Sequence, residues 1–523
     1  MGIGNRSSQN YFAQTPTVNL SRSVFDRSFT VKDTFNFDEL TPIFIDEVLP
    51  GDTINLNLNT LIRLQTQKVP IMDNMYAKFF FFYCPTRLLW NNFTKMMGER
   101  VDPSDNIDYT VPQILLPDVG VTVGTLGDKF GLPTGIAATL PSTNALPFRM
   151  YNKIYNEWFR SQLLQDSLVV DLDNGPDDID DYIIKKINKK HDYFTSALPT
   201  PQKGTALQIP AAQYANVVGD GNRLGLYNTE SGFKTGAVNT SNQLILPSGT
   251  ITTTRDLYIP TAAQGDSGMQ TELQSAMGTI NELRLAFQLQ SLLELDNRGG
   301  TRYNELVLSH FKVTIPDFRL QRSEYLGTAV ININTSPVPN TADDLGDLGA
   351  FATASSASSH IGFTHSFVEH GYVIGLVVCT ADITYQQGLN KLWTRNSRYD
   401  FFWPKLQELG EQAILNKEIY YQGTSDDNNV FGYQERYAEY KYKPSEIHGE
   451  MRSTYATPLD MWHLAEEFGS LPSLNSTFIE SSTPIERAIT VTTQDQLKAD
   501  YFFRIKHTRA MMTHAIPASL GRF

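Results

Sequence analysis

The chain has 523 residues and a formal charge of −13, from 43 basic and 56 acidic side chains. Charged residues make up 19% and aromatic residues 11%, enough apolar material to exclude wholesale disorder. Two cysteines, Cys84 and Cys379, exclude a disulfide framework and a cysteine-based zinc site. The acidic balance argues against a generic basic nucleic-acid binder. Polar content is high in Asn, Thr, Ser and Gln, a composition that often lies against another subunit.

Residues 1–36 are expected to form an N-terminal arm, with no sustained period. The opening MGIGNRSSQNYFAQTP has no apolar core, so no secretory signal is expected. From Thr41 to Leu64 the pattern is strand-like: Ile54, Leu56 and Leu58 alternate with Asn55, Asn57 and Asn59, the period of a half-buried strand. Pro50-Gly51-Asp52 supplies the preceding turn. Tyr76–Cys84 (YAKFFFFYC) is too short for a buried helix and fits a strand covered on both faces. No apolar run approaches the roughly 20 residues of a membrane span. A short helix is expected over Arg87–Met97, stopped by Gly98.

Pro147 opens a second expected helix, since proline is tolerated in the first turn. Phe148, Tyr151, Tyr155, Trp158 and Phe159 then share one helical face. Asp171-Leu-Asp173-Asn-Gly175 imitates the start of a calcium loop but fails it, with Pro176 and Tyr182 at the positions that need Gly and Glu. The acidic run 177–181 and the lysines that follow fit a solvated, charge-balanced connection.

Residues 201–278 hold ten of the 35 glycines in 78 positions. A loop this long is functional or disordered. On physics alone it is either a projecting module or a flexible surface excursion. Thr279-Ile-Asn-Glu282 is a capping box for a helix that Gly299-Gly300 ends. Short strands are expected at 307–315, 372–386 and 498–507, and a helix after Pro458. Long irregular connections between the strands argue for an antiparallel β-architecture with large insertions, not a doubly wound α/β fold.

No catalytic motif emerges. His365 and His370 are five apart, which separates them on a strand or a helix, so they cannot share a metal. There is no HExxH, GxSxG or P-loop sequence. Both cysteines sit in apolar runs and suit buried packing. No cofactor, metal or enzymatic activity is expected. Both ends are basic: residues 1–32 carry Arg6, Arg22, Arg27 and Lys32 against Asp26, and residues 500–523 carry Arg504, Lys506, Arg509 and Arg522 against Asp500, each +3. Phe25, Phe29, Phe502 and Phe503 accompany them. Cations among aromatic rings suit single-stranded nucleic acid. Packing of both ends on neighbouring subunits, with the arginines paired to carboxylates, stays open beside it.

Several long stretches carry a resemblance to a known family. They are Phe25–Asp33 (FDRSFTVKD), Leu49–Leu56 (LPGDTINL), Phe80–Glu99 (FFFYCPTRLLWNNFTKMMGE), Leu146–Trp158 (LPFRMYNKIYNEW), His191–Gly204 (HDYFTSALPTPQKG), Leu293–His310 (LELDNRGGTRYNELVLSH), Arg319–Asn332 (RLQRSEYLGTAVIN) and Phe431–Tyr442. With them the chain resembles the major capsid proteins of the gokushovirus branch of the microviruses. Thr200 departs from the family's ALPWPQ, where tryptophan is usual.

The resemblance implies a mainly β fold: a single eight-stranded antiparallel jelly roll with long, partly helical insertions, over 37–523. It implies self-assembly into a T=1 icosahedral shell around a circular single-stranded DNA genome, in a phage assembled in the bacterial cytoplasm. It implies as partners copies of the chain, a small basic DNA-binding protein, an internal scaffolding protein, a minor pilot protein and a host receptor. Residues 201–278 would be the exposed insertion at the three-fold axes. There Tyr214, Arg223, Tyr227, Phe233 and Arg255 are candidates for host contact. The DNA-facing candidates are Arg6, Arg22, Arg27, Arg504, Lys506, Arg509 and Arg522. The alternative kept beside this is a secreted jelly-roll carbohydrate-binding protein or glycosidase.

Overall fold

Ten strands build one curled antiparallel sheet in this computed structural model: β1 Ser23–Asp26, β2 Phe29–Phe35, β3 Thr41–Val48, β4 Thr53–Leu64, β5 Met75–Pro85, β6 Glu324–Val338, β7 Gly349–Ser355, β8 Gly362–Ser366, β9 Gly371–Ala381 and β10 Leu497–Arg509. The structure describes residues 21–514 apart from 101, 117–119, 137–142, 205–215, 220–224, 229–231, 236, 239–243, 246–268, 273–279, 301–302, 313–320, 339–348 and 356–359. The ladder runs β1-β10-β4-β7-β6-β5-β9-β3, with β8 also on β4 and β2 also on β10. Every neighbour pair is antiparallel, the pattern of a jelly-roll-type capsid fold.

The alternation in β4 and β10 explains the curl. Ile54, Leu56, Leu58, Ile62 and Leu64 turn inward with Leu497, Ala499, Tyr501, Phe503 and Ile505, against β5 residues Ala77, Phe79 and Phe81. Phe79 meets Tyr501 edge-on at 6.5 Å, and Phe44 lies 5.4 Å from Phe503. The two halves of the sheet therefore close on each other as a half-barrel. Each buried aliphatic or aromatic side chain contributes about 1.5–3 kcal/mol.

The aromatic run of β5 is apolar on both faces because both are covered. Its second face, with Phe82 and Cys84, joins β9 residues Ile374, Leu376 and Val378 beneath a layer built by Trp90, Phe148, Tyr151 and Ile154. The helix of that layer, α1 (Leu146–Ile154), starts where the Asn144 side chain accepts the Leu146 N–H at 2.9 Å. It continues as a wider π-turn over Tyr155–Phe159. Arg149 is fully buried in the layer and grips Asp177 through Nε (2.7 Å) and Nη2 (2.5 Å), while Tyr182 donates to the same carboxylate at 2.6 Å.

Residues 1–201 and 314–523 form one unit and residues 202–313 a second. The described residues of the second hold three short strand pairs and two helices, α2 (Ile280–Arg298) and α3 (Tyr303–Phe311). His310 and Asp296 link these helices at 2.6 Å.

Four expectations need correction. The strand expected at 307–315 is α3 over its described part: an apolar run such as LVLSHF fits either period, and length decides. The helix after Pro458 reduces to one turn, Asp460–Trp462, because the carbonyls of His463 and Ala465 accept from the Arg487 guanidinium and not from a helical ladder. The helix over Arg87–Met97 is two single turns, Thr86–Leu88 and Phe93–Met96. Of the stretch expected as an arm, residues 23–26 and 29–35 are strands of the sheet.

Candidate nucleic-acid interface

Strict alternation gives β10 two chemistries. Its inward row is apolar from Leu497 to Ile505 and ends in His507, and its outward row reads Lys498, Asp500, Phe502, Arg504 and Lys506. The register sets Phe502 beside Asn59, Arg504 beside Asn57 and Lys506 beside Asn55 of β4, with Lys498 beside Arg63. On the other flank Thr30 pairs with Phe502, and Lys32 with Asp500, to which it is ion-paired at 3.0 Å. Arg504 lies 5.6 Å over the Phe502 ring. The result is an exposed strip of cations, asparagine amides and one half-exposed ring, with Asp500 paired to Lys32 and Asp26 of β1 opposite Lys506. Amides and guanidinium groups donate to phosphates, and rings stack on bases.

Arg27 and Arg509 sit differently. Both close a cluster at one end of the sheet around His507, whose side chain is fully buried. Arg27 pairs with both oxygens of Asp46 and donates to His507 Nδ1 at 3.0 Å. His507 Nε2 and Arg509 Nε each lie 2.9 Å from Asp52 Oδ2, which also accepts the Leu49 N–H. Arg509 Nη2 reaches the Glu47 carbonyl at 2.6 Å. Asp52 is 1% exposed. Burial, followed by the Arg509 charge, holds His507 below its ordinary pKa, so the ring is neutral and its tautomer is set by these partners. These two arginines therefore serve the fold: they fasten β1 and the Leu49–Asp52 turn to β10.

Of the remaining candidates, Arg22 is exposed just ahead of β1. Arg6, Arg522, Tyr214, Arg223 and Arg255 lie outside the described residues. Tyr227 and Phe233 are directly opposed in the hairpin Gly225–Asn228/Gly232–Thr235. His365 lies 3.5 Å from Glu324 and His370 packs on Phe93. Burial pushes the thiols of Cys84 and Cys379 up, away from nucleophilic use. Among the described residues no three His, Cys, Asp or Glu side chains gather as a metal site, and no helix is long and apolar enough to cross a membrane.

Sequence reading missed one surface. Residues 391–406 (KLWTRNSRYDFFWPKL) hold five aromatic residues and four cations against one acid. Trp393 is 74% exposed, and Tyr399, Phe401 and Phe402 are also exposed. Arg395 lies 4.1 Å over Tyr440 and Arg398 4.7 Å over Trp403. Composition in a short window would have found it.

Comparison with known proteins places the whole chain. The family described as "Capsid protein (F protein)" matches residues 13–519. The chain is 49% identical to the capsid protein VP1 of Bdellovibrio phage phiMH2K across all of both chains. It is 39% identical to the capsid protein VP1 of Chlamydia phage 1 over 97% of each, and 34% identical to that of Spiroplasma virus 4 over 92% of each.

Proposed function

We propose, since this chain belongs to the phage capsid protein (F protein) family, that its copies close into a small T=1 icosahedral shell around a circular single-stranded DNA genome. The chain is a capsid protein. The observation that carries this is similarity to capsid proteins along the full length of the chain. The reading of a secreted lectin or glycosidase finds no support in those relatives. We take the role as structural and not enzymatic.

The outward strip of β10 and β4 is our proposed genome-facing surface, with Arg504 and Lys506 as its principal phosphate contacts and Phe502 as a stacking ring. Arg27 and Arg509 are withdrawn from direct contact because their charges are already matched by Asp46 and Asp52. Arg6, Arg22 and Arg522 stay on the inward side in this proposal, so charge is divided between a less acidic interior and a more acidic exterior. A small basic DNA-binding protein would supply further positive charge. A scaffolding protein and a pilot protein would complete assembly in the bacterial cytoplasm. Residues 201–278 would project outward to meet a host receptor, through Tyr214, Arg223, Tyr227, Phe233 and Arg255.

Particles purified from producing cells test this reading. Cryo-electron microscopy should resolve sixty copies per shell around nuclease-resistant single-stranded DNA. Deleting residues 205–275 should leave shells intact and lower adsorption to host cells. Shells of other symmetry, or an enclosed duplex, would contradict the proposal.

A further inference from the structure

Helix α2 (Ile280–Arg298) hides an amide and shows its leucines. Its most covered residue is Asn297, 4% exposed, whereas Leu285, Leu289, Leu292 and Leu295 are 58%, 37%, 46% and 39% exposed. At about 100° per residue these four leucines fall within an arc of about 120°, on the side away from Asn297. Between Leu285 and Leu295 the arc holds no charged residue, and its one polar member is Gln288. Asp296, the next residue on, is already bonded to His310 of α3 at 2.6 Å. A helix on a globular protein turns its apolar stripe to a core and its polar side to water. Among the described residues the stripe of α2 is open, so it is built for a partner.

Spacing and length select the partner. Leu285 and Leu292 are seven apart and Leu295 three further on, with Leu289 between, the period of a seam between two helices. A seam needs a second helix with an open stripe of its own. The apolar side chains of α1 are buried in their own layer. Helix α3 is nine residues long, shorter than the stripe, and is joined to α2 by His310. The other α-helices among the described residues are single turns. The match is α2 of another copy, and a stripe without charge faces itself with no like-charge repulsion. Size sets where the pair holds. Helix α2 is about 28 Å long and packed helices lie about 8–10 Å apart. The pair therefore covers roughly 300 Å² per copy, under half of the about 800 Å² that a stand-alone complex needs. Two free subunits do not stay together on it, whereas copies already held side by side in a shell do.

We propose that α2 pairs in the shell with α2 of a second copy, stripe to stripe, through Leu285, Leu289, Leu292 and Leu295. The proposal rests on the capsid reading. The test is Leu285→Cys with Leu295→Cys in the full chain, oxidised after purification both as shells and as dilute unassembled chain. Cys84 and Cys379 are buried, which leaves the new thiols to react. The two positions lie about 15 Å apart on one helix, beyond the about 7 Å that a disulfide spans. A bridge therefore joins two copies, whichever way the helices run. Most chain from shells should migrate as two linked copies on a non-reducing gel, and the unassembled chain as one. Ser291→Cys, on the helix side that carries Arg284 and Arg298, should stay single in both. Leu292→Gln, at a position exposed in the free subunit, should keep the unfolding midpoint while shell yield falls about tenfold. Shells whose chains stay single, bridging equal in unassembled chain, bridges to a different protein, or full shell yield from Leu292→Gln would each overturn the contact. Bridged copies in particles of another symmetry would keep the contact and remove the T=1 reading instead.

Discussion

Arg504→Gln with Lys506→Gln separates the two roles that arginines play around β10. Both side chains lie in the exposed outward row, beside Asn57 and Asn55. Each phosphate contact to a single strand adds about 0.7 to the slope of log affinity against log salt. Losing two lowers the slope by about 1.4, so between 50 and 200 mM salt the double variant should lose about sevenfold less affinity than the parent. Surface changes of this kind move stability by about 0.5 kcal/mol or less. Arg509→Gln should do the opposite. It leaves the buried Asp52 carboxylate with a lost charge partner, at a cost of about 2–3 kcal/mol, and barely moves the salt slope. The assay is fluorescence anisotropy of a labelled oligothymidylate with unassembled chain across a salt series, beside urea unfolding of the same samples. An unchanged slope in the double variant, or a slope change confined to Arg509→Gln, would refute this division.

Three further outcomes follow from buried groups. Asp177→Asn leaves the fully buried Arg149 guanidinium only the longer contact to Asp173 at 3.4 Å as a charge partner and should cost about 3–5 kcal/mol in urea unfolding, whereas Arg149→Met with Asp177→Leu should recover most of that; equal losses in both would show the pair is not isolated from water. Among the described residues the buried Tyr501 hydroxyl has no hydrogen-bond partner, so Tyr501→Phe should stabilise the subunit by about 1 kcal/mol, and a loss of stability would reveal a partner for it. His507 titrates below its unfolded value, so its contribution is complete above pH ~6.5 and fades as pH falls through the lower folded value. Stability measured from pH 7 to pH 5 should therefore fall more steeply in the parent than in His507→Gln, as protonation sets a third cation beside Arg27 and Arg509 with only Asp46 and Asp52 to match it; parallel curves would remove His507 from the cluster's acid response.

The parts of the fold legible in the sequence are those where one physical signal dominates. Ile54, Leu56 and Leu58 alternate because one face of β4 is buried, and FFFFYC is unbroken because β5 is buried on both. LVLSHF carries neither length nor period enough to separate helix from strand. The turn after Pro458 was hidden because its carbonyls find Arg487, a partner set by tertiary structure. The site was legible by half. Basic residues beside rings marked β10, but the neutralisation of Arg27 by Asp46 and of Arg509 by Asp52 depends on contacts 19 and 457 residues apart. The aromatic surface at 391–406 was visible as composition, and its exposure was not.

The placement of the β4–β10 strip in a filled particle tests the account most directly. A cryo-electron microscopy map of DNA-containing shells should show Asn57, Phe502, Arg504 and Lys506 lining the inner wall, with nucleic-acid density within contact distance of the Arg504 guanidinium. A map in which this strip points to bulk solvent outside the shell, with the genome held against another face, would contradict it.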